Sequence, residues 1–276
     1  MILIKQWNIS MNVKTIPLAL TLLSSLAITS AAQAAPNIDK ELQQYKIFAV
    51  DKIDGLVIQT QQFVDYLNAG KIEEAKALYP IVRMNFEAAE PIAESFGDLD
   101  PRIDARKADL EPNEKWTGFH PIEEILWVNN TTEGTEKYSG QLIADVKELR
   151  AKVSTVEVTP ELMVQGAVDL LNEVSTSKIS GEEEIFSHTD LYDFQGNIDG
   201  AEKIFVIFKP ALTTLDEDLV KTLDVRFAEI NKLLAAQKVD GKFKYYNELS
   251  KDEVAELAES VNKLGEPLAQ MGIILG

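Results

Sequence analysis

Hydrophobic residues recur every three or four positions along almost the whole chain. Leu42, Tyr45, Ala49, Ile53, Leu56, Thr60, Phe63 and Leu67 form one stripe of a long amphipathic helix. The turn-forming stretch NAGK at 68–71 ends it. Ala75, Leu78, Val82, Phe86, Ala89 and Ala93 predict a second helix, with a kink or break because Pro80 and Pro91 lie inside it. Further helices are predicted over about 118–128 and about 136–153, the latter with Tyr138, Leu142, Ile143, Val146 and Leu149 facing inward. Another opens at Thr159, a good N-cap, with Pro160 in the first helical position. Two long helices close the chain, over about 199–236, bent at Pro210, and over about 250–272.

Two polar stretches, 97–115 and 179–201, read as irregular connections. Strand-like alternation is nearly absent, and the one β-branched run, KIFVIFKP, sits in a helical context. The fold class is therefore all-α, built from helix bundles. A short internal echo, FHPIEEILW at 119–127 and SHTDLYDF at 187–194, fits two similar bundles joined near 153–160.

The start of the chain adds a destination. Residues 11–35 combine Lys14, an apolar stretch and the small-residue cleavage pattern Ala32-Gln33-Ala34, the features of a secretory signal peptide. The expected organisation is a signal peptide over 1–34, a helical domain over 35–276 and a periplasmic location. The chain has no cysteine, and none therefore follows the apolar stretch to carry a lipid. No membrane anchor is expected.

Charge narrows the partners. The net charge is −18, and Lys5 and Lys14 are the only charged residues of 1–35, so the exported part carries −20. That balance opposes nucleic acid and anionic membrane surfaces and suits cations. Without cysteine there is no thiol chemistry, and a metal site has to be built from carboxylates with His120 or His188.

Four groups carry that possibility. His120 and Glu123 lie one helical turn apart, where a neutral imidazole and a carboxylate can share a metal. The same spacing, with Pro121 between them, also suits a helix start with Glu123 as the return arm of a capping box. Glu87, Glu90 and Glu94 form one acidic ridge, which is either a solvated face or a set of ligands. Asp98, Asp100 and Asp104 are short loop acids that coordinate hard cations or cap turns. Glu182, Glu183, Glu184, His188 and Asp190 make the fourth group. Common zinc-protease, serine-hydrolase, P-loop and dinucleotide-binding motifs are missing.

Three stretches, EPIAESFGDLDPRIDAR, WTGFHPIEEILW and GEEEIFSHTDLYDFQGN, resemble the imelysin-like family in order. Within that family they are similar to periplasmic iron-uptake components of the EfeO/EfeM type, in the short form without a cupredoxin domain. Pro121 departs from the basic residue common there. The resemblance implies two up-down four-helix bundles packed as a pseudo-symmetric pair, about 38–153 and about 159–276, with the His-x-x-Glu motif near a cleft between them. It implies metal ligation by His120, Glu123, Glu87, Glu90, Asp104 and a glutamate of GEEE, for which Glu184 is chosen. The implied cargo is iron, or another metal such as copper or zinc. The implied partners are an inner-membrane iron permease and a periplasmic haem peroxidase. The alternative activity is that of a zinc-dependent metallopeptidase.

Overall fold

A computed structural model describes residues 37–176 and 178–275. The signal peptide read at 1–34 lies outside them. The described chain runs through α1 (Asp39–Asn68), α2 (Ile72–Ala93), α3 (Leu99–Asp104), α4 (His120–Val128), α5 (Glu136–Val153), α6 (Pro160–Thr176), α7 (Asp190–Leu215), α8 (Glu217–Ala236) and α9 (Lys251–Leu275). None of these helices is long and apolar enough to cross a membrane.

The stripes read from the sequence become the packed faces. Tyr45, Ala49, Ile53, Leu56, Phe63 and Leu67 of α1 are buried, as are Ala75, Val82, Phe86, Ala89 and Ala93 of α2. Helices α1, α2 and α5 pack together, with the short α3 and α4 alongside, and α6 to α9 pack as a group of four. The two groups share a seam, where α2 lies along α7 and α6, and the described residues fall in one compact unit.

Several boundaries differ from the pattern. The helix expected over 199–236 is two helices. It starts at Asp190, continues through Pro210, and breaks at Asp216. Asp216 is extended (φ −152°, ψ 90°), and its side chain accepts the Leu219 amide at 2.8 Å, a capping role that hydrophobic periodicity does not reveal. Pro80 and Pro91 do not break α2, which is held on both faces by packing. The acidic stretch 97–115 contains α3 and a 3₁₀ turn at Lys107–Asp109. A small hairpin pairs β1 (Lys238–Val239) with β2 (Lys242–Phe243). Its turn, Asp240-Gly241, has positive φ at both residues, as the tightest hairpins require.

Two glycines set the seam. A Cβ added at Gly200 would lie 2.7 Å from the carbonyl oxygen of Ala88, and one at Gly196 would lie 2.7 Å from the Glu87 Cβ. Being one turn apart, they let α7 approach the α2 backbone over a full turn. Gly200→Ala should therefore overpack the seam, costing about 1–3 kcal/mol and regaining about 1 through helix propensity, a net loss of up to about 2 kcal/mol. Gly140, exposed in α5, has open space where its Cβ would go. Gly140→Ala should stabilise by about 1 kcal/mol. Urea denaturation of both variants measures this, and equal signs would contradict the packing account.

Candidate metal centre

The seam buries charge. Arg83, Glu87 and Glu90 lie on the inward side of α2, and Asp193 and Asn197 answer from α7. Arg83 is fully buried and pairs with five carboxylates: Glu87 at 2.7 Å, Glu183 at 3.2 Å, Asp193 at 2.9 Å, and Asp104 and Glu184 in close contact. Lys178, also buried, contacts Glu87 and lies 3.2 Å from Glu173 and 3.6 Å from Glu90. Asn197 Nδ2 donates to Glu87 Oε2 at 2.9 Å and Glu90 Oε2 at 3.1 Å. Burying so many acids is tolerable only because these donors lie among them.

His120 reaches this cluster through the segment before α4, which is laced onto α3. Trp116 Nε1 donates to the Ala105 carbonyl, Thr117 Oγ1 to the Arg102 carbonyl, and the Phe119 amide to the Ile103 carbonyl, all at 2.9 Å. Gly118 makes the approach possible. Its φ is +92°, and a Cβ there would sit 2.1 Å from the Ile103 carbonyl oxygen. Phe119 then packs edge-on against Tyr79 with ring centroids 6.0 Å apart, and His120 lands beside Asp104.

Glu123 does not cap its own helix. Its Oε1 accepts the amides of Phe186 and Ser187, at 3.1 and 2.7 Å, and so holds the loop that carries Glu183 and Glu184. Its Oε2 lies 3.2 Å from His120 Nδ1. With Nδ1–H donating to Glu123, the other ring nitrogen presents its lone pair. That Nε2 is buried and has no hydrogen-bond partner. It faces Asp104 Oδ1 at 3.5 Å and Glu183 Oε1 at 3.9 Å. A lone pair converging with two carboxylate oxygens makes a cation-shaped arrangement, although Arg83 already donates to both oxygens.

Residues 41–271 match the imelysin family model, which carries a peptidase label. The chain belongs to the imelysin family. It is 46% identical over 250 residues to a protein of Staphylococcus haemolyticus named an Efem/EfeO family lipoprotein, covering 89% of this chain and 87% of that one. A Staphylococcus aureus (strain MSSA476) protein of the same name is 46% identical over 235 residues, 83% of each chain. These names overturn the expectation of no membrane anchor. The missing cysteine spoke only against one attachment chemistry, a lipid on a thiol, which is narrower than the absence of any tether.

In this imelysin domain, two overlapping groups bring ligand atoms within 4.8 Å of one another: Asp104, His120 and Glu183, and His120, Glu123 and Glu184. His120, Glu123, Asp104 and Glu184 of the expected set therefore come together. Glu87 and Glu90 lie in the same buried cluster but face Lys178 and Asn197. Glu94 and Glu182 are exposed, and Glu183 joins Glu184 at the site. Arg83, Lys178 and Asp193 escaped sequence reading. The four-residue step from Arg83 to Glu87 was the available signal, since it marks an ion pair on one helix face.

The electrostatics divide the acids. Burial pushes Glu123 up to about 7, against hydrogen bonds from Glu184 and Ser187. Burial and the neighbouring Glu123 push Glu184 well above the carboxylate range. Glu183 is buried too, but the fixed charges of Lys178, Arg83 and Arg106 help to outweigh that and hold it below its ordinary value. Glu183 is thus held toward its ionised form beside His120 Nε2, while burial favours the protonated forms of Glu123 and Glu184 behind it.

The unfolded chain releases the Glu123 proton near 4.5, the folded chain near 7. Between those values the folded state binds more protons, so the metal-free protein should lose stability as pH rises through that window. Glu123→Gln should flatten this fall. Chemical denaturation between pH 4.5 and 7 checks it, and parallel curves for variant and wild type would contradict the assignment.

Proposed function

We propose that the protein is an extracytoplasmic metal-binding component of an iron-uptake system, placed in the periplasm, which captures iron and passes it to a membrane permease. The observation that carries this reading is His120 Nε2, buried, unpartnered and aimed at Asp104 and Glu183. These three would hold the ion, and Glu123 would orient the imidazole from behind, as outer carboxylates do for ligating histidines. A donor set of two carboxylates and one imidazole suits iron, with carboxylate oxygens favoured by the harder iron(III). The EfeM/EfeO name of the relatives supports the iron assignment. A cavity of about 380 Å³ lined by Trp116, His120, Glu123, Glu183 and Phe186 gives an ion a route to the ring.

The peptidase alternative has less support. Both metal-capable groups among the described residues use the same histidine, so they do not form the two-histidine platform of helical zinc peptidases.

Titration with iron(III), iron(II), copper(II) and zinc(II) tests the reading. His120→Ala, Asp104→Asn and Glu183→Gln should each weaken binding by more than tenfold, over 1.4 kcal/mol. Glu182→Gln, one residue away but exposed, should leave affinity unchanged. Wild-type affinity in His120→Ala would overturn the site.

A further inference from the structure

The acids at the site are already engaged. Arg83 Nη1 contacts Asp104, its Nη2 lies 3.2 Å from Glu183 Oε1, and its Nε contacts Glu184. Each of the two metal-capable groups therefore includes at least one carboxylate that Arg83 holds. A guanidinium cannot lose its proton to make way for a cation. Its position is also fixed: the guanidinium carbon lies 5.7 Å from the centre of the Phe119 ring, Asp193 accepts from Nε at 2.9 Å, and Glu87 accepts from Nη2 at 2.7 Å. Asp193 belongs to neither metal-capable group.

We infer that Arg83 is a built-in competitor for the incoming ion, a specificity-determining residue that keeps binding reversible and sets the balance between divalent and trivalent cations. This rests on the metal-site reading above. In the metal-free chain Arg83 supplies the positive charge that lets the ligands stay assembled. When an ion enters, the ligands must be shared with Arg83, and the two cations repel. That repulsion grows in proportion to the charge of the ion. Arg83 therefore penalises a trivalent ion half as much again as a divalent one on the logarithmic scale of affinity. Asp193 acts in the opposite sense, by drawing Arg83 back from Asp104 and Glu183.

The test uses two redox-inert ions, zinc(II), and gallium(III) supplied as its citrate complex, titrated into the purified protein. Arg83→Met alone strands five buried acids, so the main variant is Arg83→Met with Asp193→Asn, which removes one ion pair together. Because Glu87, Asp104, Glu183 and Glu184 still lose the guanidinium, its fold is checked first by circular dichroism, and Asp193→Asn alone carries the test if it does not fold. If zinc binds tenfold more tightly to this double variant, gallium should gain about thirtyfold, by the proportionality of repulsion to charge. Asp193→Asn alone leaves Arg83 in place with one fewer restraint, and should weaken both ions. Binding to the wild type that is lost in His120→Ala establishes the underlying site independently. Given that, unchanged or weaker binding by the double variant, or tighter binding by Asp193→Asn, would overturn the role of Arg83. Binding by the wild type that is indifferent to His120→Ala would overturn the site itself.

Discussion

The structure turns on the burial of one arginine. Arg83 has no exposed surface and meets carboxylates from α2, the end of α3, the loop before α7, and α7 itself. Taking such a charge from water costs several kcal/mol, and leaving its partners unpaired costs about 3–5 kcal/mol more. The arrangement is stable only when all four segments arrive together. The same ion pairs that make the fold specific thus assemble Asp104, Glu183 and Glu184 around His120. Gly118, Gly196 and Gly200 supply the close approaches without which the charges would not meet.

The cluster is nearly, but not completely, satisfied. Glu123 is held by two backbone amides and the imidazole, and Glu184 by Tyr79, Ser187 and Arg83. Against that background His120 Nε2 stands out, because its lone pair meets only acceptors. A site that carries its own counter-cation can remain folded while empty and give up an ion without collapsing. On the proposed reading, those are the properties a carrier needs, in contrast to a structural metal site, whose protein unfolds when the metal leaves.

Much of this was legible in the sequence. The three-and-four spacing located the long helices because most of the core is made of apolar stripes, and Thr159 marked the start of α6 by its hydroxyl, which accepts the Leu162 amide. The break at Asp216 was not legible, since apolar residues continue in step on both sides of it. At the site, the scarcity of histidine and its one-turn distance from Glu123 picked out two residues that the structure brings together with Glu184. The acidic ridge of α2 was half understood: Glu87 and Glu90 are buried, whereas a run of charges ordinarily means solvent. What neutralises them comes from Lys178, about ninety positions away in the chain, and local spacing carries no trace of such a pairing. Glu183 and Glu184 were indistinguishable as letters, and only the loop geometry shows that both turn inward while Glu182 does not.

The account stands on where a metal sits. Crystals grown with iron or zinc, with anomalous scattering recorded at the absorption edge of the metal, would locate it directly. The account predicts one peak about 2.0–2.2 Å from His120 Nε2 and from oxygens of Asp104 and Glu183. A peak between Glu87 and Glu90 in place of Lys178, or one that leaves His120 Nε2 without a ligand bond, would contradict it.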